Sequence, residues 1–117
     1  MDEMGQPSLH EIRLEEVLSA LGDSTRLHIV RRLLVEGETS CKCLCGEAPK
    51  STISHHFRVL RESGVTNTRI VGTQRLVSVR ERELERRFPG LLKIVQEESE
   101  DLARSIGLEP TTLSSAS

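Results

Sequence analysis

The chain has no tryptophan and no tyrosine, and its only aromatic rings besides histidine are Phe57 and Phe88. Proteins that hold single-stranded nucleic acid or splayed RNA bases need exposed aromatic platforms for stacking, and this chain has none to spare. Long apolar runs are also missing. No stretch approaches the roughly 20 residues of a membrane span, and Met1 to Pro7 lacks the basic-then-apolar layout of a signal peptide. The expectation is a cytoplasmic protein with no membrane partner. Cysteine is scarce and odd in number: Cys41, Cys43 and Cys45. That is no disulfide framework of a secreted domain. There is no nucleophile–base motif, no glycine-rich phosphate loop and no carboxylate pair in a plausible cleft, so an enzyme is not expected.

What is present fits one small domain. A chain of 117 residues with a hydrophobic share of 36% can build one modest core. Dimerisation would bury more. The expected boundaries are a flexible N-terminus over 1–7, one domain over 8–109 and a disordered tail over 110–117.

The net charge of −2 hides an uneven distribution. Residues 1–22 carry −4 and residues 81–117 carry −3, whereas residues 50–80 set six basic groups against Glu62 alone for +5. A phosphate-binding surface needs a local positive field, not a positive total. A solvated charged face is the plainer alternative.

Ser8 and Glu11 make a capping box that opens a helix to about Leu21, with Leu9, Ile12, Val17, Leu18 and Leu21 as its apolar stripe. Asp23 caps a second helix, in which Leu27, Val30, Leu33 and Leu34 repeat until Gly37. Glu38 to Lys50 is the least regular stretch and has room for only a short helix. A third full helix runs from Lys50 to about Ser63, closed by Gly64. The period then changes to that of strands: Val65–Val71 and Gln74–Arg80 form a hairpin around Gly72 and Thr73. After a short charged segment, Pro89 starts a last amphipathic helix containing Leu91, Leu92, Ile94, Val95 and Leu102. The fold class is mainly α with a small β-hairpin wing, a winged helix-turn-helix.

At 100° per residue, Ile53, Phe57 and Leu60 share the core side of the third helix. Ser51, His55, Arg58 and Glu62 lie opposite, with Thr52, Ser54 and Val59 between. His56 is expected to be half-buried, structural or touching phosphate. Short hydroxyls, a histidine and an arginine suit base edges and phosphates of duplex DNA. Candidate DNA contacts are Lys50, Ser51, Thr52, Ser54, His55, Arg58 and Arg61 on the helix, and Arg69, Gln74 and Arg75 on the hairpin.

Three motifs resemble those of the ArsR/SmtB repressors: Ala20-Leu21-Gly22-Asp23-Ser24-Thr25-Arg26-Leu27, then Ser51 to Gly64 (STISHHFRVLRESG), then Gly72-Thr73-Gln74-Arg75. The resemblance covers about residues 14–95. It implies a homodimer joined through the first and last helices, with Ile12, Leu91, Leu92, Ile94 and Val95 at the interface. It also implies repression of a palindromic operator, often relieved by a metal, metalloid or redox signal. The chain departs from the family pattern in three places. The segment before the recognition helix is a few residues shorter and lacks the apolar Leu-Ala-x-x-Leu core, Pro49 stands where a capping serine is usual, and the last helix has no His or Asp/Glu-His set for zinc.

Metal-sensing members of that family carry Cys-x-Cys near the position of Cys41 and Cys43, and Cys45 adds a third sulfur. As(III), Sb(III), Cd(II) and Pb(II) favour thiolates, so any of them would suit as inducer. In a regular helix residues i and i+2 diverge, whereas in an extended stretch all three sulfurs point one way. Gly46 and Pro49 favour an irregular stretch. Oxidation of a reactive pair and incidental cysteines are the alternatives. So are a ligand-independent regulator and a winged-helix protein-interaction module.

Overall fold

The computed structural model of the chain describes residues 6–45 and 49–96, apart from the side chains of Cys45 and Lys50. A 3-10 turn at Leu9–Glu11 leads into helices α1 (Leu14–Leu21) and α2 (Ser24–Glu36). Strand β1 (Thr39–Ser40), short helix α3 (Cys41–Cys45) and helix α4 (Lys50–Ser63) follow. Strands β2 (Thr66–Val71) and β3 (Gln74–Val79) form the hairpin, ahead of helix α5 (Glu81–Arg87). Residues 91–96 are helical and form α6.

Local chemistry sets the boundaries. The Asp23 carboxylate accepts from the N–H groups of Thr25 at 2.9 Å and Arg26 at 3.1 Å, an N-cap for α2. The same bonds hold its carboxyl below the usual range; the N–H of Arg26 is the main cause. Helix α4 starts after Pro49 without a side-chain cap. It ends in a Schellman closure: Val65 N–H donates to the Leu60 carbonyl at 3.0 Å and Gly64 N–H to that of Arg61 at 3.1 Å. Gly64 has φ +91°, a left-handed conformation that suits glycine.

The core gathers Ile12, Val17, Val30, Leu33, Leu60, Val65, Val77 and Leu84, all fully buried. The sheet has strand order β1-β3-β2 and is antiparallel throughout. Its inner face, with Thr66, Thr68, Val77 and Val79 buried, packs on the helices. Gly72 at φ +62° is the first central residue of the two-residue turn between Val71 and Gln74, where a primed turn calls for glycine.

The structure corrects several expectations. The first helix does not run from Ser8. The capping box forms, but Ile12 and Arg13 are extended and α1 begins at Leu14. This shifts the helical phase, so Leu18 faces out at 50% exposure instead of joining the stripe. Gln6 and Pro7, expected in a flexible terminus, are buried. The Gln6 side-chain carbonyl accepts from Thr68 N–H on β2, and the Pro7 carbonyl accepts from Arg80 at 2.6 Å. Strand β1 was not expected, and the cysteine stretch is helical, not irregular. Residues 97–117, including Leu102 and the expected boundary at 109, lie outside the described residues. Among the described residues, no helix is long and apolar enough to cross a membrane.

Candidate nucleic-acid interface

Helix α4 divides as its periodicity predicts. Ile53, Phe57 and Leu60 are buried, whereas Ser51, Thr52, Ser54, His55, Arg58 and Glu62 are exposed. Arg58 lies 3.5 Å from Glu62 with both side chains mostly in solvent, a loose pair that leaves the guanidinium available. Arg61 is half-buried, and its Nε is buried without a hydrogen-bond partner among the described residues. The backbone of Lys50 opens the helix.

His56 takes a different role from its neighbour. Its side chain is 12% exposed, and its Nδ1 accepts from Arg26 Nη1 at 3.2 Å. Arginine has no acceptor, so the neutral ring carries its proton on Nε2. Arg26 also donates from Nε to the Ala20 carbonyl at 2.7 Å and from Nη2 to that of Ser19 at 3.5 Å. One guanidinium thus ties the C-terminal end of α1, the start of α2 and the middle of α4 together, with the Asp23 carboxylate 4.0 Å from His56. The Asp23-Ser24-Thr25-Arg26 motif was legible in the sequence; this spatial triangle was not.

On the hairpin, Arg69, Gln74 and Arg75 are exposed on either side of the turn. The register places them on different faces. Arg75 continues the row of Val77 and Val79 on the face that packs against the helices, and Ile70 is its partner. Arg69 and Gln74 lie on the opposite face with Leu76. Arg69 forks onto Glu38, with Nε and Nη2 donating to the carboxylate at 2.8 and 2.7 Å. The guanidinium holds the Glu38 carboxyl below its ordinary value, and Glu38 raises Arg69 in turn. Sequence reasoning missed this pair, which joins residues 31 positions apart.

The cysteines sit in a helix. Ser40 Oγ accepts from Cys43 N–H at 3.2 Å. Cys41 is half-buried against the core and Cys43 is exposed. Their side chains diverge by about 200° around the axis, so α3 as folded does not gather them on one ion. Among the described residues, no group of three or more His, Cys, Asp or Glu is placed to hold a metal.

The expected dimer-interface residues also separate. Ile12, Leu92 and Val95 are buried inside the chain at 0%, 7% and 6% exposure, and Leu91 packs partly against the same core. Only Ile94 of that set is exposed, at 62%, and α1 adds Leu14 and Leu18 to the apolar surface. An open cleft of about 270 Å³ between α1 and α4 has an acidic rim of Glu15, Glu16 and Glu62.

A helix with a polar, basic outer face, set beside a basic hairpin, defines a winged helix-turn-helix of a transcriptional regulator. No family model matches the chain. It is 38% identical over 84 residues to an uncharacterized HTH-type transcriptional regulator of Bacillus subtilis (strain 168), covering 67% of this chain and 81% of the relative. The crystal structure of the transcriptional repressor BigR from Xylella fastidiosa matches with a TM-score of 0.52 at 30% identity, over 64% of this chain and 85% of that one. The homodimeric winged helix-turn-helix DNA-binding domain Mb0332 from Mycobacterium bovis, a possible ArsR-family regulator, matches with a TM-score of 0.59 at 25% identity, over 73% and 79%. The chain belongs to the ArsR family of winged helix-turn-helix transcriptional regulators, DNA-binding proteins that are not enzymes.

Proposed function

We propose that the protein is a homodimeric repressor that binds a palindromic operator with half-sites about one helical turn apart. The observation that supports this most is the exposed face of α4. Ser51, Thr52, Ser54, His55 and Arg58 are exposed to solvent, on a helix whose opposite side is sealed into the core. That face enters the major groove, flanked by Lys50 and Arg61, while Gln74 and Arg75 on the wing reach the phosphate backbone.

Arg58→Ala is expected to weaken operator binding about tenfold, the size of one lost charge-assisted contact. Arg13→Ala, in an exposed pair with Glu15 on α1, is the control and should change little. Arg75→Ala should weaken binding to all sequences alike and flatten the salt dependence by about one unit of slope. Fluorescence anisotropy on operator and scrambled duplexes at several salt concentrations checks both. Equal losses for Arg58→Ala and Arg13→Ala would overturn the face assignment.

Release of the operator by As(III), Sb(III), Cd(II) or Pb(II) at Cys41, Cys43 and Cys45 rests on their placement between β1 and α4. The helical α3 does not fit a three-sulfur ion without change. Cd(II) binding to all three cysteines is therefore expected to unwind α3. Charge-transfer absorbance in the ultraviolet should then appear together with a loss of helical circular dichroism. Absorbance with the helix intact would mean fewer thiolates or a site shared between chains. Wild-type protein that shows no absorbance would leave the cysteines without a soft-ion role.

A further inference from the structure

Strand β1 braces the hairpin only partway along its length. Its two residues pair with Val77 and Leu76 of β3, and toward the turn β2 and β3 continue as a two-stranded ribbon. Such ribbons are marginal by themselves. Exposed Ile70 and Val71 give this one little to pack on. Arg69 stands at the boundary. It pairs with Leu76, which pairs on its other side with Ser40, so this row is the last to span all three strands. From there Arg69 reaches across β3 to Glu38, immediately before β1, in a two-pronged contact. The face that carries this contact is the one turned away from the helices, opposite Arg75.

We infer that Glu38 and Arg69 are wing-positioning residues: they clasp the base of the hairpin so that Arg75 is held where the DNA backbone passes, and Arg69 is not itself a DNA contact. A bidentate guanidinium–carboxylate pair fixes orientation as well as distance. It braces β2 against the β1 end of the sheet at the row where the third strand stops. The inference rests on the reading that the wing contacts DNA through Arg75.

The sign of one substitution separates the clasp from a direct contact. Taking an acid off a DNA-binding surface ordinarily strengthens binding, because repulsion from phosphate is lost. The clasp demands the opposite. Glu38→Gln should weaken operator binding about fivefold, on the scale of one well-formed surface ion pair, and flatten the salt slope toward that of Arg75→Ala. Arg69→Gln should do the same, and the double variant should be no weaker than either single one. Both side chains are partly in solvent, at 31% and 57% exposure, so thermal melts should stay near wild type. Tighter binding by Glu38→Gln, or a loss confined to Arg69→Gln, would make Arg69 a DNA contact and overturn the proposal. If neither variant changes binding while Arg75→Ala does, the clasp fails and the wing reading stands. If Arg75→Ala is also silent, the wing reading itself falls, and the clasp with it.

Discussion

Gly64→Ala should cost about 3 kcal/mol of stability, enough to lower the melting temperature by roughly 10–20 °C. Two effects add. The backbone there sits at φ +91°, where an L side chain is strained by about 1–2 kcal/mol. A Cβ would also lie 2.6 Å from Cγ1 and 3.0 Å from Cδ1 of Ile12. Ile12 is fully buried and branched at Cβ, so it has no free rotamer to retreat into. A double-mutant cycle with Ile12→Ala isolates the second effect, since Ile12 is the side chain a Cβ at Gly64 would meet. Ile12→Ala is costly by itself, but Gly64→Ala should cost less in that background than in the wild type. Denaturant unfolding of the wild type, the two single variants and the double variant measures this. Equal costs of Gly64→Ala in the two backgrounds would show that the close approach of Ile12 has no energetic weight.

Charge placed on the exposed apolar surface should take the protein apart in another way. The double variant Leu18→Glu and Ile94→Glu should be folded but monomeric, and its operator affinity should fall by about a hundredfold or more. Two linked half-site contacts gain from effective concentration, which a monomer loses. Leu18 and Ile94 are 50% and 62% exposed in the chain, so neither change disturbs the core. The same charges at Leu92 and Val95 would instead enter the chain's own interior and unfold it. Sedimentation and anisotropy on one sample give both readouts. A double variant that remains dimeric would overturn this assignment of the interface, and a wild-type monomer with full affinity would overturn the dimer.

The periodicity of α4 was legible because Ile53, Phe57 and Leu60 fall on one face without interruption. Asp23 and Gly64 marked helix ends by chemistry local to a few residues. The first helix misled because its apolar spacing is continuous while its backbone is not. Ile12 is needed beneath Gly64, and the extended link at Ile12 and Arg13 puts it there. Strand β1 has two residues, too few for any alternation to show. Cys41 to Cys45 reads as irregular from its neighbours Gly46 and Pro49, yet the Ser40 side chain caps the N–H of Cys43. Of the candidate site, the exposed row on α4 could be read directly. The long-range contacts could not: Glu38 with Arg69, Arg26 with His56, and Arg31 with the Val95 carbonyl at 3.1 Å each join residues that only the fold brings together.

The side chain of Gln6 has a consequence for solubility. As one of the two outer strands of the sheet, β2 would present unpaired amides to any passing strand, the usual seed of edge-to-edge aggregation. Its outward N–H at Thr68 is already taken by the Gln6 amide carbonyl, which stands in for a fourth strand at the cost of one residue. Toward the tip that protection gives way to Ile70 and Val71, both about half exposed. Loss of the Gln6 plug would leave a longer sticky edge, and self-association through the hairpin would set in at concentrations where the intact protein stays dispersed.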